Sequence, residues 1–287
     1  MGGQAFLGVC QLDRGTGAAG LLDRLKLVSA REFEIGLEQT LKDLQKRLRS
    51  TIAVYPVAPE NPLGVVGYGP FTGGIAAHPP APGARLGKRR QFGSEDRVGH
   101  FLAKLEAGAK RTTSSSTIEC GPTLVHLKCQ GIRHIVLVDD ICGSGTRITN
   151  YWRQVVPNRI KSLLSLKKCE LWIVLYAITP MGRRAIRRAI PNLPKDHVLS
   201  VLPEVHFEKV IPAEQIALCK KYATYAGRSA ISLGYRGSAS HVIFEHGCPN
   251  NTPAILWDPD DKNGNWVGIF PNRTVGTATA SVFPPEI

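Results

Sequence analysis

Two adjacent carboxylates, Asp139 and Asp140, are the side chains of this 287-residue chain best placed to do chemistry. They directly follow an apolar, mostly β-branched run at 135–138, which predicts a strand buried on both faces of a parallel sheet. Open α/β sheets bind their ligands at the carboxyl ends of such strands. We therefore expect Asp139 and Asp140 to lie at a ligand site, where carboxylates can accept hydrogen bonds from hydroxyl groups or bind Mg²⁺.

A glycine-rich turn follows the carboxylates and opens into a segment with helical spacing. Its candidate phosphate-binding residues are Gly143, Ser144, Gly145, Thr146 and Arg147. The glycines permit positive φ and close backbone approach, and turn amides at the start of a helix bind anions, above all phosphate. Arg147 adds a cation that can pair with phosphate. A carboxylate pair beside a phosphate cradle predicts a sugar phosphate ligand; a purely structural loop is the alternative.

The composition is that of a globular protein, with 43% hydrophobic and 21% charged residues. A formal net charge of +13 favours polyanionic partners, nucleic acid or phosphorylated small molecules. The seven cysteines are odd in number and lack Cys-x-x-Cys spacing, which argues against a disulfide framework or structural zinc. With no signal-peptide pattern at its start and no apolar run of the ~20 residues that a membrane span needs, we expect a cytoplasmic protein.

Alternation of helical and strand patterns along the chain predicts a Rossmann-like parallel sheet flanked by helices. Residues 1–30 form an N-terminal arm or loop in this prediction, with a glycine-rich loop at 15–20, and 31–287 form one domain whose last part, 234–287, is a C-terminal extension. The predicted helices start at Ser29, Ser94 and Thr179 or cover 122–130 and 212–226. The predicted strands are 52–57, 135–138, 170–178, 198–202, 205–210 and 242–244.

Four arginines at helical spacing, Arg183, Arg184, Arg187 and Arg188, form the strongest concentration of positive charge on one predicted helix. Like charges one turn apart repel, so an anionic partner would relieve them. This helix is the best candidate in the chain for contact with RNA, DNA or a protein partner, beside the simpler interpretation of a solvated basic face.

Two motifs more than 100 residues apart give the chain a family resemblance. Two carboxylates, two apolar residues and a small loop resemble the signature of type I phosphoribosyltransferases, although Gly143 stands where that family has a hydroxyl and Arg147 where it has a threonine. The second motif is Pro249-Asn250-Asn251-Thr252-Pro253, followed by Trp257, Trp266 and Phe270-Pro271-Asn272-Arg273. Together with Gly93-Ser94-Glu95 they resemble the phosphoribosyltransferase-like family of bacterial conflict, or antiviral defence, systems, over about 31–273.

The resemblance implies a type I phosphoribosyltransferase-like fold with a C-terminal hood, and a toxin-like effector that acts at ribose C1 of PRPP or a nucleotide. Asp139 and Asp140 would be catalytic and bond the ribose hydroxyls, directly or through Mg²⁺. Such effectors can be encoded beside a retron reverse transcriptase with its RNA. The reaction would be phosphoribosyl transfer or nucleotide N-glycoside hydrolysis.

The resemblance also suggests roles for two further segments. Asn250, Asn251 and Thr252 would form the floor or hood for a base, or would only fix a turn. Lys88, Arg89 and Arg90, in a long Pro- and Gly-rich connection, would form the loop over the pyrophosphate, or a solvated surface loop.

Two other functions stay open from the sequence. The absent hydroxyl at Gly143 and the lack of a recognisable pyrophosphate loop favour a non-catalytic nucleotide- or nucleic-acid-binding subunit of a defence complex, whereas the intact Asp139-Asp140 pair favours chemistry. A housekeeping base-salvage enzyme is the third candidate.

Overall fold

The computed structural model describes residues 17–57, 71, 94–109, 117–258 and 268–270. Within them the chain forms a five-stranded sheet and a two-stranded sheet, both entirely parallel. The strands are β1 (Lys26–Val28), β2 (Ile52–Pro56), β3 (Ile118–Cys120), β4 (His134–Cys142), β5 (Glu170–Ile178), β6 (Val198–Ser200) and β7 (Val242–Phe244). The large sheet has the order β3-β2-β4-β5-β6, and the small one pairs β1 with β7.

Helices connect and cover these strands. They are α1 (Ala18–Leu22), α2 (Ala30–Leu48), α3 (Ser94–Ala109), α4 (Leu124–Cys129), α5 (Thr146–Asn150), α6 (Asn158–Ser165), α7 (Pro180–Ala189), α8 (Phe207–Val210) and α9 (Ala213–Tyr225). A π-helical turn, Tyr151–Val155, continues α5. Single 3₁₀ turns lie at Lys195–His197, Ser229–Ile231, Tyr235–Gly237 and Ala254–Leu256. None of the described helices has the length and apolar character needed to cross a membrane.

Strand β4 lies at the centre of the large sheet and is buried on both faces, which explains the unbroken apolar run at 135–138. Val136 and Val138 pack in one core cluster, together with the apolar stripe of α2 and residues of α3. Ile135 and Leu137 point to the opposite face and pack in a second cluster with residues of α4 to α7. Because successive strand residues alternate between faces, one short run anchors both layers of helices.

A third core cluster lies under the C-terminal extension. It joins Leu21 of α1, Tyr222 of α9, Ile243 of β7 and Leu256 of the last 3₁₀ turn. Strand β1 pairs with β7 in register from Lys26–Val242 to Val28–Phe244. Helix α1 and strand β1 therefore pack with the C-terminal extension.

The structure confirms the predicted parallel sheet flanked by helices, and strands 170–178 and 242–244 have the predicted bounds. The glycine-rich loop predicted at 15–20 is wrong from Ala18 onward, where α1 begins because Leu21 joins the third core cluster. Strand 198–202 is wrong at its end, since β6 stops at Ser200.

The strand predicted at 205–210 is also wrong. Val205 donates one amide hydrogen bond to the Ile178 carbonyl at 2.8 Å, and the chain then leaves the sheet edge and forms α8. A short apolar run does not distinguish a buried strand from a buried helical turn by its period alone.

Candidate active site

Strand β4 continues through both carboxylates to Cys142, so Asp139 and Asp140 lie within its last residues, only 1% and 3% exposed. The register with β5 is maintained here, with Asp139 paired with Leu175 and Ile141 with Ala177. The Asp140 amide donates to Asp139 Oδ1 at 3.0 Å, and the Ile141 amide donates to Asp140 Oδ1 at 2.7 Å. These local bonds fix both carboxylates before the glycine-rich loop.

One guanidinium joins the two carboxylates. Arg147 Nη1 donates to Asp139 Oδ1 at 2.8 Å and to Asp140 Oδ1 at 3.0 Å, while the Arg147 side chain stays 35% exposed. Among the described residues, the second oxygen of Asp139, Oδ2, is buried without a hydrogen-bond partner. A buried, unpartnered carboxylate oxygen is costly and marks a place where a ligand hydroxyl or a cation would be stabilised.

The two carboxyl groups differ in their electrostatics. Burial raises the pKa of the Asp139 carboxyl well above its ordinary value, more than the nearby Arg147 charge lowers it. Burial acts in the same direction on Asp140, but there Arg147 and His246 outweigh it and hold the pKa of that carboxyl below its ordinary value. Asp139 thus favours its protonated form and Asp140 its ionised form. Two carboxyl groups with pKa values shifted apart in this way can act as an acid and a base.

His246 is a site residue that the sequence analysis missed. Its Nε2 lies 3.7 Å from Asp140 Oδ2, which is beyond hydrogen-bond distance. The ring packs against Phe244 and Phe33 with centroid separations of 4.9 and 5.1 Å, and neither ring nitrogen has a hydrogen-bond partner in the described parts of the chain. Its position two residues after the predicted strand 242–244 was the only sequence signal for it.

The loop after β4 packs closely on the start of α7. Gly145 has φ 80°, and a Cβ there would lie 2.4 Å from the Ala185 Cβ. A Cβ on Gly182 would lie 2.3 Å from the Cys142 carbonyl oxygen. The Thr179 hydroxyl caps α7 and donates to the Gly143 carbonyl at 2.6 Å. These contacts hold the loop in one conformation against a rigid helix.

The C-terminal extension covers the first residue of the loop. A Cβ on Gly143 would lie 1.9 Å from Asn251 Nδ2, so only glycine leaves room for that side chain. Asn251 is buried and donates from Nδ2 to the Ser238 hydroxyl at 2.6 Å. The absence of a hydroxyl at position 143 therefore has a steric reason, because the Asn251 carboxamide takes that space.

The other two predicted hood residues fix backbone turns. The Asn250 carbonyl accepts a hydrogen bond from the Tyr235 amide at 2.7 Å. The Thr252 hydroxyl lies 2.7 Å from the Pro249 carbonyl and 2.9 Å from Cys248 Sγ. Of the three residues, Asn251 is the one placed directly over the loop.

Hydroxyl groups line the rest of the loop. Ser144 Oγ and Thr146 Oγ1 lie 3.0 Å apart, and Arg236 Nη1 donates to Thr146 Oγ1 at 3.5 Å. The amides of Gly143 and Ser144 make no hydrogen bond to any residue that the structure describes. Arg236 is a second residue that the sequence analysis missed, since nothing in its neighbourhood along the chain relates it to the loop.

The structure describes one of the two remaining sets of predicted residues. Lys88, Arg89 and Arg90 lie outside the described residues. On α7, Arg183 Nε pairs with Glu204 Oε2 at 2.6 Å, whereas Arg184, Arg187 and Arg188 are exposed.

At this site a divalent cation would be bound by carboxylates alone. No group of three or more His, Cys, Asp or Glu side chains suited to a metal occurs among the described residues. The carboxylates of Asp139 and Asp140 nevertheless fit Mg²⁺, which commonly takes one or two carboxylates and completes its shell with water and substrate oxygens. The unpartnered Oδ2 of Asp139 is the oxygen best suited to this.

Comparison with known proteins agrees with this geometry. No curated protein matches the chain significantly, and no solved structure does so either. The PRTase-CE family model matches residues 90–272, a range that contains the carboxylate pair, the glycine-rich loop, α7 and the extension that covers the loop. Because this match covers more than half of the 287 residues, the chain belongs to the PRTase-CE family, a phosphoribosyltransferase-like family.

Proposed function

We propose that this phosphoribosyltransferase-like protein binds the ribose 5-phosphate part of PRPP or a nucleotide and acts at ribose C1, as the effector of a bacterial antiviral defence system of the retron type or a related one. The observation that supports it best is the buried Asp139-Asp140 pair, with Oδ2 of Asp139 unpartnered among the described residues, directly before a loop of small and hydroxyl residues. Membership of the PRTase-CE family supports the same class of ligand.

In the proposed mechanism the loop holds the 5′-phosphate and the carboxylates hold the sugar. Amides and hydroxyls of Gly143 to Thr146 donate to phosphate oxygens, while Asp139 and Asp140 accept hydrogen bonds from the 2′- and 3′-hydroxyls. The negative charge of Asp140, whose pKa stays low, stabilises the cation-like ribose centre that forms when the bond at C1 breaks. Asn251, fixed over Gly143, would shape the wall towards the base.

Arg147 must move for this mechanism to operate. Its guanidinium occupies Oδ1 of both carboxylates, where ribose hydroxyls would bind. The side chain is 35% exposed and can leave towards solvent. Mg²⁺, bound by Asp139 and Asp140, would then supply the positive charge that Arg147 withdraws and neutralise the leaving group.

The same Arg147 contact favours a second candidate function. A guanidinium bound to both carboxylates neutralises the groups that chemistry needs, as in a subunit that binds a nucleotide or nucleic acid without converting it. Such a subunit would use the loop and the exposed arginines of α7 for binding within a defence complex.

Ligand-dependent thermal stability tests the proposed site. PRPP, ribose 5-phosphate, NAD⁺ and common nucleotides are added singly with Mg²⁺, and a ligand at 100 times its Kd should stabilise the fold by about 2.7 kcal/mol. Asp139→Asn should abolish the shift. The matched control is Asp258→Asn, which removes another buried carboxylate beside an arginine, Arg228 at 3.2 Å, and should retain the shift.

The outcomes separate the candidates. A shift that survives Asp139→Asn, or that no phosphorylated ribose produces, contradicts the ribose site. If a ligand binds, incubation with Mg²⁺ followed by chromatography distinguishes an enzyme, which consumes it, from a binding subunit, which returns it unchanged.

Expression in cells tests the defence role. An effector released from its partner should arrest growth, and Asp139→Asn should relieve the arrest. Normal growth at high expression of the unpartnered chain would contradict the effector role and favour base salvage.

A further inference from the structure

Arg236 of the C-terminal extension has an unusual backbone. Its φ of 56° and ψ of 26° place it in the left-handed region, which residues other than glycine and asparagine rarely adopt. Gly234 and Gly237 on either side also have positive φ, 78° and 67°. Backbone strain of this kind is common at ligand sites, and the contacts of the Arg236 side chain decide whether it serves one.

The turn is fastened to the part of the extension that covers the loop. A Cβ on Gly234 would lie 2.2 Å from the Asn251 carbonyl oxygen, and the Tyr235 amide donates to the Asn250 carbonyl. The Ser238 hydroxyl accepts a hydrogen bond from Asn251 Nδ2. Since Asn251 sits over Gly143, the turn has a fixed position relative to the loop.

From this turn the Arg236 guanidinium reaches the far side of the same loop. Nη1 donates to Thr146 Oγ1 at 3.5 Å, and Thr146 Oγ1 lies 3.0 Å from Ser144 Oγ. The guanidinium carbon also lies 5.4 Å from the centroid of the Tyr235 ring. In the described parts of the chain Arg236 has no carboxylate partner, in contrast to Arg147, which binds two.

We propose that Arg236, and not Arg147, is the cation that binds the phosphate monoester of the ligand at the loop, with Ser144 and Thr146 hydroxyls as its neighbours. The inference rests on the proposed ribose 5-phosphate site and names the group that recognises the phosphate. The two arginines then have different roles, since Arg147 balances the carboxylates until the ribose hydroxyls displace it, and Arg236 binds the phosphate. The extension thereby contributes directly to the ligand site.

Arg236→Gly provides a sharp test, because glycine adopts the left-handed conformation without strain. The variant should be at least as stable as the parent to heat, yet bind ribose 5-phosphate about tenfold or more weakly, measured by calorimetric titration. Affinity for ribose alone should stay unchanged.

Arg49→Gly is the matched control. Arg49 is likewise exposed and left-handed, with φ 49°, but it follows α2 and precedes β2, at the amino end of the sheet and away from the loop. The Arg49→Gly substitution removes the same charge and the same backbone strain. The variant should bind ribose 5-phosphate with the affinity of the parent. Arg236→Lys, which keeps the charge, should recover part of the affinity.

Each outcome decides a different point. If the parent and Arg236→Gly bind ribose 5-phosphate with equal affinity, the inference is overturned while the proposed function stands. The same conclusion follows if Arg49→Gly loses as much affinity as Arg236→Gly. If ribose 5-phosphate binds no more tightly than inorganic phosphate, and both need Arg236 but not Asp139, the inference is supported and the ribose site is contradicted. A parent that binds neither phosphate nor ribose 5-phosphate overturns both.

Discussion

Asp139 and Asp140 share one guanidinium, and this shortage of positive charge determines how the pKa values of their carboxyl groups differ. Arg147 contacts Oδ1 of each carboxylate, so neither gains a bidentate pair. Asp140 also faces His246, whose Nε2 lies 3.7 Å from Asp140 Oδ2, whereas Oδ2 of Asp139 has no partner among the described residues. Burial therefore dominates at Asp139 and raises the pKa of its carboxyl.

This raised pKa predicts how stability depends on pH. An Asp carboxyl in an unfolded chain titrates near 3.9, about as in model peptides. Above that pH the folded chain keeps a proton that the unfolded chain has lost, so stability falls as pH rises through the raised pKa of Asp139, by at most about 1.4 kcal/mol per pH unit. The contribution is fully present below the unfolded value.

Asp139→Asn should remove this dependence. Urea unfolding of parent and variant at several pH values from about 4 upward should show the variant gaining stability relative to the parent as pH rises. A difference that stays constant, or that grows in favour of the parent, would mean that Asp139 is ionised throughout. Arg147→Lys, which keeps a cation beside the carboxylate, should retain the pH dependence of the parent.

At the scale of elements, the glycine-rich loop is defined by what packs on it from outside. Asn251 of the extension fills the space above Gly143, and Ala185 of α7 fills the space beside Gly145. The loop is held between two elements that are distant along the chain, which gives its amides and hydroxyls fixed positions. A preorganised loop binds an anion without first losing conformational freedom.

Gly143→Ala should disturb this packing. A Cβ 1.9 Å from Asn251 Nδ2 would displace that side chain and its bond to Ser238. We expect a loss of about 1–3 kcal/mol of stability, as for other overpacked sites, and weaker ligand binding, by chemical denaturation and titration. Gly99→Ala is the control: nothing lies within 4 Å of a Cβ there, in helix α3, so alanine should stabilise by about 0.5–1 kcal/mol. Unchanged stability of Gly143→Ala would show that Asn251 can move freely.

The sequence predicted those parts of the fold that local patterns determine. The run at 135–138 and the carboxylates after it identified β4, because a strand buried on both faces needs such residues, and Ser29 correctly marked the start of α2. The pairing of Arg147 with both carboxylates, and the approach of Arg236 and His246, depend on contacts across the fold. Such contacts leave no periodic signal along the chain, so they could not be predicted.

For the whole molecule, the net charge of +13 is concentrated in part on α7. Arg183 is engaged by Glu204, but Arg184, Arg187 and Arg188 are exposed on the helix whose first turn supports the glycine-rich loop. A polyanion bound along this face would lie on the element that positions the ligand site. The predicted contact with RNA or DNA is therefore best tested here.

Replacing Arg184, Arg187 and Arg188 together by glutamine should weaken RNA or DNA binding. Each lost phosphate contact lowers the slope of log K against log salt by about 0.9, or about 0.7 for single strands, so the triple variant should lose up to about 2.7 of slope. The measurement is fluorescence anisotropy over a range of salt concentrations. The control is the triple glutamine variant of three exposed lysines, Lys128, Lys167 and Lys168, which removes equal charge. Equal losses in both variants would indicate non-specific attraction only.

The parallel pairing of β1 with β7 has a consequence for the order in which the protein can be made. Ala30, at the start of α2, donates to Glu245 across a separation of 215 residues. During synthesis β1 leaves the ribosome long before its partner strand exists, and closing so long a loop is slow. The strand that completes this pair is followed at once by His246, and later by Asn251 over the loop. A nascent chain thus carries its two carboxylates before it can complete the site, which requires translation of the extension, so a protein proposed to be toxic would be harmless until then.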